Sequence, residues 1–193
     1  MLERLRRSPA TSALLAALVL AFAATAARPG LLGRFDKDND LLRAEPWRLL
    51  TANFLHGGPV HLLVNAYALT MIGPTVERVY GAVRFWVVFL LGGVLGFVAS
   101  ALFVDAPSLG ASAGLFALLG ALLGFAVRAR DRLVPAARRA MIREILTVAA
   151  LNIGLGLAVP YVDNAAHVGG FAGGLALAFA LHPQERDEPR RLD

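Results

Sequence analysis

The chain has no cysteine, only one lysine and few charged residues for its length. Without cysteine it cannot form a disulfide bond, use a thiol nucleophile or bind a metal through thiolates. Charged residues are 17% of the 193 residues, whereas about a quarter is usual in a soluble domain. Hydrophobic residues are 57%, and the mean hydropathy is +0.60. This composition favours a membrane protein.

The basic residues could at first indicate a nucleic-acid partner, since the net charge is +5 and the pI is 10.6. Basic loops that flank apolar segments are, however, expected of membrane proteins. We therefore predict the lipid bilayer as a partner and no nucleic acid. Arginine outnumbers lysine by 18 to 1, which is typical of a GC-rich bacterial genome.

Six apolar segments of roughly membrane-spanning length follow one another along the chain. They are 11–27, 61–77, 85–103, 112–127, 144–160 and 165–181. A helix needs about 17–25 residues to cross a bilayer, so each segment is a candidate span. We predict an all-α membrane domain of six helices over 11–181, with short segments outside it at 1–10 and 182–193. The first outer loop is predicted to be partly embedded in the membrane.

The distribution of arginine and lysine predicts the orientation of these spans. If all six cross the membrane, one side carries 14 basic residues and the other carries 5. The positive-inside rule then places both termini in the cytoplasm of a multi-pass protein of the cell (inner) membrane. An alternative for the first segment is a signal peptide cleaved near Ala24-Thr25-Ala26, which would leave five spans. We favour its retention as a span.

Three polar residues fall at a similar depth in different segments. His61, Ser112 and His167 lie 17, 16 and 15 residues from the residue that ends each segment on the cytoplasmic side. At about 1.5 Å per residue they stand roughly 22–26 Å above that boundary, within a hydrocarbon core about 30 Å thick. Polar groups at that depth are costly unless they are paired or hydrated. We expect a water-filled cavity open to the outer face, lined by His61, Asn65, Ser112, Asn164 and His167.

Ser112 and His167 are the candidate catalytic residues. A serine hydroxyl becomes a useful nucleophile when a neighbouring imidazole takes its proton. Alone, Ser112 is more simply a helix-start residue, and His167 a polar contact between helices. Glycines accompany both of them, and small residues four apart let two membrane helices approach closely. These glycines are Gly110 and Gly114 beside Ser112, and Gly170 and Gly174 after His167.

His61 and Asn65 share a helix face because they are four residues apart. Together with the Ser112 backbone N–H they could stabilise the oxyanion of an acyl-transfer intermediate. A buried hydrogen-bonded pair is the alternative interpretation. A metal site would need three or four ligands at suitable spacing. We find no such spacing among the histidines, and we predict neither a metal nor a cofactor.

Trp47, Arg48 and Glu77 are predicted to support the structure. Arg48 would order the first outer loop through hydrogen bonds. Glu77 would lie at the cytoplasmic end of the second segment, paired with Arg78, Arg84 or backbone N–H groups.

These residues, taken in order, resemble the rhomboid intramembrane serine proteases over about 45–181. The likeness rests on Trp47-Arg48, His61-x-x-x-Asn65, Gly110-Ala111-Ser112, and His167 followed by Gly170 and Gly174. It implies a six-helix bundle in which Ser112 is the nucleophile and His167 the general base, with the oxyanion held by His61, Asn65 and the Ser112 N–H. It also implies membrane-anchored protein substrates that are cleaved near the outer face.

The chain departs from the family pattern at two positions. Ala113 follows the serine where many members have glycine, and Phe116 replaces a tyrosine that often stacks on the histidine. The aromatic stacking is expected to survive, while the hydroxyl is lost. A non-catalytic membrane chaperone or binding protein of the same fold is the alternative function. A transporter would call for inverted repeats or several charges at mid-membrane, which the sequence lacks.

Overall fold

The computed structural model describes residues 2–129, 131–159 and 161–184, and this part of the chain is almost entirely helical. Within it, the only β feature is an isolated bridge between Lys37 and Ser108. Its helices are α1 Leu2–Arg6, α2 Pro9–Ala27, α3 Leu32–Phe35, α4 Arg48–Thr51, α5 Pro59–Phe103, α6 Ser112–Arg128, α7 Pro135–Ala158 and α8 Asn164–Ala180. The all-α prediction is thus confirmed for these residues. Most of the predicted tail at 182–193, with Arg130 and Pro160, lies outside them.

Proline begins three of the long helices: Pro9 in α2, Pro59 in α5 and Pro135 in α7. The first residue of a helix needs no N–H donor, so proline fits there. Helices α2, α5 and α7 are long and apolar enough to cross a bilayer, whereas α6 and α8 have 17 residues each. Helix α7 begins before the apolar segment predicted from 144. Its first turns are rich in arginine, so they belong to the helix but not to the apolar segment. The apolar segment therefore indicates only the part of the helix suited to lipid.

Helix α5 contains two helical stretches joined by a bend at Gly81. Gly81 has φ 81° and ψ 166°, a conformation that only glycine adopts without strain. The bend separates the predicted segments 61–77 and 85–103. The backbone N–H of Gln184, beyond the end of α8, donates to the Val79 carbonyl at 2.8 Å. The end of the described chain therefore lies against this bend.

Helix α6 lies at the centre of the bundle, since every residue from Ala113 to Ala126 is buried. Helices α5 and α8 pack on it, and the Tyr80 hydroxyl of α5 donates to the Ala121 carbonyl at 3.0 Å. Helix α7 is peripheral, with only Ile145, Ala149 and Gly156 buried among its described residues. A helix that is apolar on every side is expected to be surrounded by other helices.

The last residue of α6 satisfies the end of α8. Arg128 Nη1 donates to the carbonyls of Ala178, Phe179 and Leu181 at 2.5, 3.3 and 3.3 Å. The final carbonyls of a helix have no partner within it and carry partial negative charge, so a guanidinium there is favourable. The ends of α6 and α8 therefore lie close together. Gly170, in the second turn of α8, packs against Ala113 at the start of α6, so α8 begins farther toward this end of the bundle than α6 does.

The loop between α2 and α5 is ordered around Arg48, which is only 3% exposed. Its guanidinium donates to the Glu45 carboxylate at 2.5 Å, to the Gly33 carbonyl at 3.0 Å, and to both the carbonyl and the carboxylate of Asp36. These bonds close the loop on itself. Trp47, its neighbour, remains 49% exposed.

Glu77 caps the start of α2. Its carboxylate accepts the N–H groups of Ala10 and Thr11, each at 2.9 Å, and the Thr11 hydroxyl at 2.8 Å. Among the described residues its partners are thus backbone N–H groups and a hydroxyl, and neither Arg78 nor Arg84 bonds to it. A carboxylate at a helix N-terminus satisfies orphan donors and complements the helix dipole.

We expect Glu77→Ala to destabilise the protein by about 1–3 kcal/mol, because two buried N–H groups lose their acceptor. The measurement is thermal unfolding of the purified protein in detergent. The control is Glu3→Ala, which removes a carboxylate from an exposed ion pair with Arg7 and should leave the midpoint unchanged. Equal midpoints for the two variants would contradict the capping role.

Candidate active site

Ser112 is the first residue of α6, where the chain enters the bundle. The preceding turn is fixed by the Gly110 N–H, which donates to the Ala52 carbonyl at 2.9 Å, and by the fully buried Ala111. Gly110 has φ 135°, which favours glycine. The Ser112 side chain is half-buried. Because the first N–H groups of a helix have no partner within it, this end of α6 offers free backbone donors close to Ser112.

The His61 ring lies against the same turn. A Cβ placed on Gly110 would come within 2.8 Å of both Cε1 and Nε2 of His61 and within 3.6 Å of Ser112 Oγ. The absence of a side chain at Gly110 thus lets the imidazole approach the serine. The structure therefore brings His61 and Ser112 together from α5 and α6.

His167 reaches this location from α8. Its ring stacks on Phe116, with centroids 4.4 Å apart and planes at 7°, and both side chains are 8% exposed. Phe116 is four residues after Ser112, so the two side chains lie on one face of α6. The imidazole consequently lies beside the turn that carries Ser112. Within the described residues no hydrogen bond joins the two, and such bonds are often long before substrate binds.

Glycine permits the close packing of α6 and α8 that makes this possible. A Cβ on Gly170 would overlap the Ala113 carbonyl oxygen, and one on Gly174 would overlap that of Ala117. The two backbones are therefore in direct contact over successive turns. Gly114 plays a similar part toward α5, where a Cβ would collide with the Phe89 ring.

The two asparagines predicted to line the site hold backbone carbonyls. Asn65 Nδ2 donates to the His61 carbonyl at 3.1 Å, one turn earlier on α5. Asn164 Nδ2 donates to the Ile153 carbonyl at 3.1 Å, so this side chain joins α8 to α7. The Asn164 amide is thus used between two helices, which fits a residue that supports the structure.

His56 is a further residue of this region, and it lies outside the predicted set of site residues. It is 1% exposed and packs edge-on against His61, with centroids 5.0 Å apart and planes at 67°. Burial, with a smaller contribution from His61, lowers the pKa of His56 to about 4, so the ring is neutral at physiological pH. Its packing supports the His61 ring. The sequence signal that could have placed His56 in this region is its position five residues before His61.

The remaining predicted residues lie away from this location. Trp47 and Arg48 belong to the outer loop, and Glu77 is 16 residues after His61 on α5, a distance of about 24 Å along a helix. Their contacts are those of structural support.

Comparison with known proteins identifies the family. The model of the Rhomboid domain matches residues 43–184, most of the chain. The chain belongs to the rhomboid family. Rhomboid protease GluP from Bacillus subtilis is 42% identical over 146 residues, which are 75% of this chain and 28% of that protein. RHOMBOID-like protein 4 from Arabidopsis thaliana is 40% identical over 151 residues, 78% of this chain and 38% of the relative.

The apolar helices and the family together identify a multi-pass membrane protein. This rhomboid chain spans less than half the length of the curated relatives that it matches. Membership does not by itself decide activity, because Inactive RHOMBOID-like protein 8 from Arabidopsis thaliana is also 34% identical over 128 residues, 66% of this chain and 36% of that protein.

We expect Gly174→Ala to destabilise the protein by about 1–3 kcal/mol, because the added methyl group forces the two backbones apart. Thermal unfolding in detergent measures this. The matched control is Gly154→Ala on α7, where a Cβ meets nothing within 4 Å and better helix propensity should stabilise by up to about 1 kcal/mol. If the unfolding midpoints of both variants shifted in the same direction, the close contact at Gly174 would not be what limits stability.

Proposed function

We propose that this rhomboid protein is an intramembrane serine endopeptidase that cleaves membrane-anchored protein substrates near the outer face. Ser112 is the nucleophile and His167 the general base. The observation that supports this most is the convergence of three helices at one location. The half-buried Ser112 lies beside the His61 ring, and His167 stacks on the aromatic residue one turn below the serine.

The proposed reaction uses a serine and a histidine, without a carboxylate as a third catalytic residue. His167 accepts the proton of the Ser112 hydroxyl as Oγ bonds to the substrate carbonyl carbon. The Ser112 N–H, His61 and Asn65 hold the oxyanion. The intermediate expels the amine, which takes the proton from His167, and leaves an acyl-enzyme. A water molecule, deprotonated by His167, hydrolyses the ester and restores the serine. The nearby carboxylate of Asp163 accepts hydrogen bonds from Ala166 N and the Ser100 hydroxyl, and within the described residues no hydrogen bond joins it to the His167 ring.

Six spans are proposed for this chain, with the two halves of α5 crossing separately on either side of Gly81. Both termini then face the cytoplasm of a bacterial inner membrane, with the membrane domain at 11–181. The charge distribution supports this orientation. The site at the starts of α6 and α8 would open to the outer face, where water and a substrate helix meet.

A non-catalytic role in binding membrane proteins is the second candidate, supported by the relative named as inactive. It shares the fold and does not require Ser112. A fluorophosphonate probe, which reacts with activated serines, separates the two functions. Labelling that depends on both Ser112 and His167 supports the protease, whereas failure to label the folded protein supports the binding role.

We expect Ser112→Ala to reduce cleavage of a tagged single-span substrate to the level of protein-free liposomes. Loss of a serine nucleophile costs on the order of 10⁶ in kcat. The assay uses the full chain in liposomes, and Ser12→Ala, which changes a serine of α2, is the control. Persistent cleavage by Ser112→Ala would end the serine-protease proposal.

We expect His61→Ala to lower kcat by about 10²–10³-fold through loss of an oxyanion donor. KM should change little, because the interaction forms only in the transition state. Steady-state kinetics on the same substrate measure both constants. An effect confined to KM would assign His61 to substrate binding instead.

A further inference from the structure

Asp163 precedes α8 and holds its first turn, from which His167 projects. The carboxylate Oδ1 accepts the Ala166 N–H at 2.9 Å, and the Asp163 carbonyl accepts the His167 N–H at 3.2 Å. Aspartate is a favoured N-cap because it satisfies donors that a helix start leaves free. This part of the arrangement needs no function beyond stability.

The second carboxylate oxygen has a different partner. Asp163 Oδ2 accepts a hydrogen bond from the hydroxyl of Ser100, which is completely buried in the last turn of α5. An N-cap does not need a contact with another helix. The bond therefore links the start of α8 to the end of α5.

One turn below this bond, α5 packs so closely against α6 and α8 that no side chain fits at Gly96. A Cβ on Gly96 would lie 2.7 Å from the Ala166 carbonyl oxygen, 2.9 Å from the Ala113 Cβ and 3.2 Å from the Gly170 nitrogen. Helices α5, α6 and α8 thus meet one turn below the Ser100–Asp163 bond. A shift of α8 along α5 would move His167 relative to Ser112, since α6 is packed against the same place.

The approach to Ser112 is fixed to the same end of α5. Lys37 is fully buried, and its ammonium donates to the carbonyls of Val104 and Ala106 at 3.1 and 2.7 Å. Its backbone pairs with Ser108, at 2.8 and 2.9 Å, four residues before Ser112. Burial lowers the pKa of Lys37, and the carboxylate of Asp163 is the strongest of the charges that oppose this. The Val104 N–H donates to the Ser100 carbonyl at 2.7 Å, so the Lys37 contacts and the Ser100–Asp163 bond both lie at this end of α5.

We propose that the outer end of α5 fixes the positions of both catalytic residues, and that Ser100 and Asp163 are positioning residues that hold the imidazole of His167 against Ser112. This rests on the proposed function. Neither side chain touches the reacting atoms. Ser100 contributes the inter-helix bond, and Asp163 transmits it through the first turn of α8.

The test separates positioning from simple stability. Ser100→Ala removes the inter-helix bond and leaves the N-cap intact, so kcat should fall by about 10–100-fold, as expected for a catalytic group misplaced by up to ~1 Å. KM and the thermal midpoint should change little. Asp163→Ala should lower kcat at least as much, whereas Asp163→Asn, which can still cap and bond Ser100, should recover most of it. The double variant Ser100→Ala/Asp163→Ala should be no slower than Asp163→Ala alone.

The matched control is Thr25→Val, which removes another buried hydroxyl, one bonded only within α2. It should keep the original kcat. Wild-type kcat in Ser100→Ala, losses that follow the thermal midpoint, or independent effects in the double variant would overturn the inference. Ser112→Ala is assayed in parallel. If it still cleaves, the proposed function fails and the positioning role with it; if cleavage needs Ser112 but not Ser100, only the positioning role fails.

Discussion

The contact between the backbones of α6 and α8 is the constraint on which the rest of the structure depends. In lipid there is little hydrophobic drive to bring two helices together, so close packing must supply the attraction. Gly170 and Gly174 permit it, because any side chain there would overlap the carbonyls of Ala113 and Ala117. The same closeness carries His167 to the face of α6 that bears Ser112 and Phe116, so that stability and the proposed chemistry share one requirement.

Three polar side chains form hydrogen bonds from one helix to another in this bundle. Glu77 satisfies the start of α2, Arg128 satisfies the end of α8, and Asp163 joins α8 to Ser100 of α5. The first two sets of bonds satisfy donors or acceptors that helix ends leave free, whereas the Asp163–Ser100 bond joins two side chains. Together these bonds fix the heights of the helices, which apolar packing alone would leave free to slide. The site inherits its geometry from these ends.

Much of the architecture follows from the sequence at the level of segments. The apolar runs coincide with helices, and the bend at Gly81 falls between two of them, although α7 begins well before its apolar part. Local spacing also placed His61 and Asn65 on one face of a helix. Partners distant in the chain were harder to predict. Glu77 was assigned either arginines or backbone groups, and only the fold selects Ala10 and Thr11. For Asn164, the sequence offered no partner, and only the fold selects the Ile153 carbonyl of α7.

The sequence by itself determined the helical class, the preference for a membrane and the residue types able to perform acyl transfer. It could do so because hydropathy and helical periodicity are local properties of the chain. Only the tertiary structure decided which side chains meet. Ser100 is 63 residues from Asp163, and Lys37 is 67 residues from Val104. No local rule selects such pairs, because they depend on how far each helix slides against its neighbours, and that is set by glycine contacts and by the satisfaction of helix ends.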